Sequence, residues 1–441
     1  MKYLSKYIKK IYFFFYFSKM QEDFLHYLWR HKKFETTNLT TTSNEVVNVI
    51  TTGVHNTNAG PDFFNAQLRI GEQVWAGNVE IHVKASDWYL HNHEQDNAYD
   101  NVILHVVWEH DTEIFRKDNT VIPTLELKHY VPIGILNKYK SLLTNKNKWI
   151  NCEQDFASVD HFTLTNWLER LYFERLERKS ETIEALLRSS KNDWEAVLFK
   201  MLARNFGLKV NGEAFFSLAK SVDFSVIRKV QGKQFALEAL LFGQAGLLDF
   251  DVEEGYYLEL KNEYQFLKRK FSLSNSKVPV QFFRLRPHNF PTIRLSQLAS
   301  LYHEHQQLFS KVMALQDLDA FYELFKVAAS SFWNTHYTFH KTSRTASKIL
   351  TKPFMELLFI NTILPLKFCY AKHNGQTVDV EIITAARRIA SEKNSIVEAF
   401  NNLKTVSSSS MESQALIQLK EAYCSKNKCL QCAVGNALII K

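Results

Sequence analysis

The hydrophobic period of this chain changes once, near residue 150, and that change limits the folds open to it. Before it, short apolar runs alternate with polar residues. Gln67–Ile70, Val74–Val83 and Asn101–Trp108 read as strands, because alternation with period two puts one face of a strand on a core. Thr120–Leu127 reads as a further strand, and Pro123 confines it to an edge or bulge, since proline lends no N–H to a ladder. After residue 158 the period becomes helical. Leu164, Trp167, Leu168, Leu171 and Leu176 recur at spacings of three to five, and amphipathic stretches follow over 193–205, 234–248, 256–270, 293–315, 345–371 and 378–403. With 13 Gly and 8 Pro in 441 residues, long helices are favoured over a loop-rich scaffold. The expected fold class is α+β: a small β-rich domain with a mixed sheet over 20–150, then a large all-α domain over 151–441.

The formal charge of +8 invites a polyanionic partner, but it is unevenly placed. Lys2, Lys6, Lys9, Lys10 and Lys19 stand in the first 19 residues without an acid, and +3 remains without them. The apolar run Ile11–Phe17 is too short for a bilayer, which takes about 20 residues. Met20 then opens a helical pattern, so residues 1–19 are expected to be a non-native extension. No transmembrane segment is expected. Five cysteines, an odd and sparse number, do not make a disulfide framework, which points to a reducing cytoplasm. The sequence sets no oligomeric state.

Chemistry concentrates between Asn58 and Asp111. In a strand over Val79–Lys84, Glu80, His82 and Lys84 share one face, each about 7 Å from the next, while Val79, Ile81 and Val83 face the other way. A surface strand would alternate in the same manner. Beside this face, however, stand Asp62, Asp87, His91, His93 and Asp96. Carboxylates suit Mg²⁺ or Mn²⁺, and imidazoles suit Zn²⁺ and similar ions. Asp62, Glu80, His91, His93 and Asp96 are therefore candidate metal ligands. His82 or Lys84 is placed to assist a metal-bound water or stabilise a developing anion.

Pro61-Asp62 followed 18 positions later by Glu80-Ile-His82 resembles the PD-(D/E)xK nuclease pattern. That resemblance implies that Asp62 and Glu80 hold the metal. It also puts His82 where the pattern has lysine, with Lys84 one step further along the face as a substitute. The stretches Gly60-Pro-Asp-Phe63, Gly77-Asn-Val-Glu-Ile-His82, Ser86-Asp-Trp88, Asn101–Val107, Phe242–Gly246, Arg286–Pro291 and Cys429-Leu-Gln-Cys432 are similar to the domain of unknown function 2851 family. That kinship implies no activity.

Cys424-x₄-Cys429-x₂-Cys432 suits Zn²⁺ or an iron–sulfur cluster, with Cys152 the first candidate for a fourth ligand and Cys369 the second. Three unliganded cysteines at a helix end are the plain alternative. Arg284–Arg294 is a stiff loop entering a helix at Pro291. Arg286 and Arg294 could hold an anion there, or pack as a connector. The small residues of Phe242–Leu248 fit close helix packing, because no phosphate-loop spacing is present. Three readings follow. The first is a metal-dependent phosphodiesterase or nuclease-like hydrolase acting on nucleic acid or another phosphodiester. The second is a non-enzymatic binding or scaffold protein with a polar pocket. The third is a metalloenzyme of another class using His82, His91 and His93.

Overall fold

The structure is a computed structural model that describes residues 20–144, 148–274 and 278–440. The expectation for residues 1–19 lies outside the described residues. The chain divides into two compact units, one running to Leu164 and resuming at Glu421, the other spanning Thr165–Lys420. The anticipated division at 150/151 differs from this one chiefly at the C-terminus, whose last segment groups with the sheet.

The first unit is built on a mixed sheet. Its strands are β1 (Leu39–Thr40), β2 (Val46–Thr51), β3 (Val54–His55), β4 (Phe63–Ile70), β5 (Gln73–Lys84), β6 (Val102–Glu109) and β7 (Thr124–Glu126). They lie in the order β1-β2-β4-β5-β6-β7, with β3 paired to β4. Pairings up to β4–β5 are antiparallel, and β5–β6 and β6–β7 are parallel. Gly71, at φ +58°, opens the two-residue turn between β4 and β5, where a residue without a Cβ is favoured. β7 begins directly after Pro123 and is the sheet's edge, as a proline there requires.

From Asn65 to Ile70 β4 alternates between exposed and buried residues, so it has one wet face there. β6 is buried from Val102 to Val107, as a strand with parallel neighbours and both faces covered should be. β5 changes character along its length. Gln73–Ala76 are exposed, whereas Val79–His82 are buried on both faces. Helix α1 (Glu22–Arg30) packs across β5 and supplies part of that cover. Gly77 permits the close approach of β5 to the following chain: a Cβ there would lie 2.4 Å from Ile103 Cγ2 and 2.7 Å from the Asn101 carbonyl.

The second unit is helical among its described residues, apart from a small hairpin of His336–Thr338 and Lys341–Thr342. Its helix Pro291–Glu304 is buried at every position through Tyr302, which makes it a central core element. Gly243 meets the Tyr264 ring so closely that a Cβ would stand 2.1 Å from it, so within Phe242–Leu248 this glycine serves helix packing. Among the described residues one helical run, Lys352–His373, is long and apolar enough to cross a membrane, and 72% of its apolar window is buried inside the protein.

Candidate metal centre

Strand pairing decides where Glu80 and His82 sit. They occupy the covered half of β5, 4% and 1% exposed. Parallel pairing of β5 with β6 demands a crossover, because the chain must return to the same end of the sheet. That crossover, residues 85–101, carries the short helix α2 (Asp87–Leu90) and a tight turn at Asn92, whose φ is 59°. Asparagine enters this left-handed region more readily than most residues. The turn separates His91 from His93 and brings both rings to His82, with centroids 5.0 and 5.3 Å away.

The crossover is pinned on three sides. Ser86 donates its N–H and its hydroxyl to Asp111, at 2.9 and 2.7 Å. Trp88 is 1% exposed and donates its indole N–H to the Phe115 carbonyl at 3.2 Å. Tyr99 stacks on the His93 ring at 3.8 Å, and Trp88 meets the same ring edge-on at 5.3 Å. Trp88, Tyr99 and Val102 belong to one buried apolar cluster, so the histidine loop rests on a core.

One nitrogen from each of His82, His91 and His93 falls within 4.8 Å of the others. His82 Nε2 is 3.1 Å from His91 Nδ1. Glu80 Oε1 lies 3.5 Å from His82 Nε2 and 3.3 Å from His93 Nε2. Donors bound to one tetrahedral ion at about 2.0–2.2 Å stand about 3.3–3.6 Å apart. The three imidazoles therefore form a mutually close group, and Glu80 Oε1 stands at such a spacing from His82 and His93.

A further set of contacts backs the donors. His82 Nδ1 is 2.8 Å from His105 Nε2, and His105 is fully buried on β6. If Nδ1–H donates to His105, the Nε2 lone pair of His82 is left facing His91, His93 and Glu80. Asp62 is tied to the Glu80–Ile81 segment by two bonds. The Asp62 N–H donates to Glu80 Oε2 at 3.1 Å, and the Ile81 N–H donates to Asp62 Oδ2 at 2.9 Å. A register shift in β4 between Phe63 and Ala66, with Asn65 at φ 56°, lies beside Asp62. Such bulges re-aim neighbouring side chains. His26 of α1 reaches the same Asp62 oxygen at 3.1 Å.

Electrostatics follow from burial. Desolvation, and then the nearby Asp62 carboxylate, push the Glu80 carboxyl up to about 9. Desolvation, with His93 and His91 beside it, pushes His82 down to about 3. His105 is likewise held well below the usual range by burial and then by His82. His26 is raised: burial opposes protonation, but the hydrogen bond and charge of Asp62 outweigh it. Neutral imidazoles are the form that ligates a metal.

Not every expected residue joins this set. Lys84 ends β5 on the exposed side, and its N–H donates to Asp87. Asp96 is exposed, and its carboxylate caps the Ala98 N–H at 2.9 Å. Arg286 and Arg294 lie in the second unit. Arg286 is exposed. Arg294 is 5% exposed, bonded to Asn289 and Gln297 at 2.6 and 2.9 Å and stacked 3.5 Å over Phe354, so it packs as a connector. Cys152, Cys424, Cys429 and Cys432 line one pocket of the first unit. Cys369 lies in the second, its sulfur 3.9 Å from the Ser180 carbonyl. Two site residues escaped the sequence reading. His26 carried a faint signal, four positions after Glu22 on one helix face. His105 interrupts the otherwise apolar run Val102–Trp108.

Beside the centre, a groove is lined by His26, Arg30, His31, His55, Lys426 and Lys428, among others. His26 thus faces both the groove and Asp62. The centre is thus framed by a mixed sheet whose strand β5 carries Glu80 and His82 and whose crossover carries His91 and His93. The chain belongs to the family described as Protein of unknown function (DUF2851), whose model matches residues 22–395. No curated protein and no solved structure matches the chain. The family match stops short of Cys424–Cys432.

Proposed function

We propose that the centre binds one divalent transition metal and hydrolyses a phosphodiester. The observation that carries this is the convergence of three imidazole nitrogens within 4.8 Å of one another, with Glu80 Oε1 at 3.5 and 3.3 Å from the His82 and His93 nitrogens. Three nitrogens and an oxygen suit Zn²⁺, Fe²⁺ or Mn²⁺ better than Mg²⁺, which prefers oxygen donors. In this reading His82, His91, His93 and Glu80 hold the ion. A metal at such a site supplies a water whose pKa falls to about 7. Asp62, held by His26 and the Ile81 N–H, stands next to Glu80 as the group to orient that water. His105 fixes the tautomer of His82. The phosphodiester is supported by the groove at His26, whose Arg30, Lys426 and Lys428 favour an anion over a neutral substrate.

The test is metal titration of the full chain with Zn²⁺ and Mn²⁺, followed by turnover of bis(p-nitrophenyl) phosphate and a labelled oligonucleotide. We expect about one equivalent bound, affinity reduced by more than tenfold in His91→Ala and in His93→Ala, and hydrolysis lost in Asp62→Asn. Metal binding indifferent to both histidine variants would overturn the centre. Metal binding without hydrolysis of either substrate would overturn the enzymatic reading and leave a binding protein.

A further inference from the structure

The segment that supplies Lys426 and Lys428 buries little side chain of its own. It consists of two single-turn helices, Cys424–Lys426 and Cys429–Gln431, joined through Asn427 at φ 53°. Neither turn has a buried residue. Short segments of this kind gain order from a staple rather than from packing. One is available. Cys424, Cys429 and Cys432 line a single pocket together with Cys152, distant in sequence, and the pocket also includes Asn151, Lys428 and Gly435. Asn151 Nδ2 donates to Cys429 Sγ at 3.3 Å and to Asn427 Oδ1 at 3.2 Å. An amide N–H aimed at sulfur favours a thiolate, and outer-shell donors of this sort accompany metal ligands. Gly435 passes so close that a Cβ would stand 2.1 Å from the Cys429 carbonyl, which fixes the far end of the segment.

We infer that Cys152, Cys424, Cys429 and Cys432 hold a thiophilic metal centre that fixes the Lys426–Lys428 turn as the basic wall of the groove beside His26. All-sulfur donor sets take zinc or an iron–sulfur cluster, and they exclude the hard cations. The centre is structural. Its ligands are thiolates with no other donor, whereas the histidine site carries the imidazoles and carboxylates. Lys428 lines both the cysteine pocket and the groove, so ordering one wall orders the other. Only the groove's role rests on the phosphodiester reading. The metal itself does not.

The experiment uses the full chain purified without oxygen. Zinc, iron and acid-labile sulfide are measured per chain in the wild type, Cys429→Ser, Cys432→Ser and His91→Ala. We expect either about one zinc without sulfide or several irons with matching sulfide. That metal is lost in both cysteine variants and retained in His91→Ala. Wild type holding no more zinc or iron than Cys429→Ser and Cys432→Ser overturns the site. A second arm avoids any folding defect of the cysteine variants. Lys426→Ala/Lys428→Ala keeps the metal, and its binding of a labelled single-stranded oligonucleotide is followed against salt. Each lost phosphate contact flattens the log–log salt slope by about 0.7, so the double variant should flatten it by about 1.4. An unchanged slope overturns the wall. The failure of hydrolysis alone touches neither arm.

Discussion

Replacing His105 with leucine separates the metal centre from the fold around it. His105 Nε2 meets His82 Nδ1 at 2.8 Å inside the sheet, and its own Nδ1 is buried without a hydrogen-bond partner. Leucine removes two polar atoms at once. The His82 Nδ1–H loses its acceptor, which costs about 1–3 kcal/mol for a buried donor. The orphaned His105 Nδ1 disappears, which recovers an amount of the same order. The volume change is small, so the metal-free chain should shift by about 1.5 kcal/mol or less. Metal affinity has no such compensation. Partners that orient a ligating histidine are worth about 10–100-fold in affinity, or about 1.4–2.7 kcal/mol. The assays are urea unfolding of the metal-free chain and calorimetric titration with Zn²⁺. His105→Gln, which keeps an acceptor in reach, should retain more of the affinity than leucine does. Wild-type affinity in His105→Leu would refute the reasoning, because His82 would then need no partner to present Nε2. A large loss of stability with unchanged affinity would refute it as well.

Three further outcomes are expected. Gly77→Ala should lower stability by about 1–3 kcal/mol in thermal unfolding, since its Cβ would strike Ile103 and the Asn101 carbonyl and push β5 from β6. Asp223 caps the helix Phe224–Val230 by accepting the Ser225 N–H, and its hydrogen bonds to Ser225 hold its carboxyl below the usual range. Its folded pKa is depressed, so the cap's contribution is present above the ordinary carboxyl value of 3.8 and is lost as pH falls through the lower one. Asp223→Ala should lose about 0.5–2 kcal/mol at pH 7, and Asp223→Asn should keep the cap while removing that acid sensitivity, both read by denaturant unfolding. Arg294→Ala should destabilise by about 2–4 kcal/mol, because it strips Asn289, Gln297 and Phe354 of a buried partner, and should leave oligonucleotide affinity unchanged.

The strands over 67–70, 74–83 and 101–108 were legible because period-two alternation is a local property. They match β4, β5 and β6 to within a few residues at most ends. Pro123 marked the edge for an equally local reason. The helices over 193–205 and 256–270 were legible too, whereas 293–315 and 378–403 each divide in two. β2 was missed: its flanks carry threonines and asparagines, and its burial barely alternates. In the candidate centre, Glu80, His82 and the His91/His93 pair could be named from spacing. Lys84 belonged to the same pattern, but it stands past the covered half of β5.

By itself the sequence determined an α+β chain, the strand bearing Glu80 and His82, and a cysteine trio near the end. Those depend on neighbours within a few residues. Tertiary structure alone decided that the Glu80–His82 face is buried, because α1 and the crossover close over it. It alone turned His91 and His93 onto His82, since a parallel β6 forces the chain back across the sheet. It also brought in His26, His105 and Cys152 from distant segments. Alternation within one strand says which residues share a face, but what covers that face depends on chain far away in sequence.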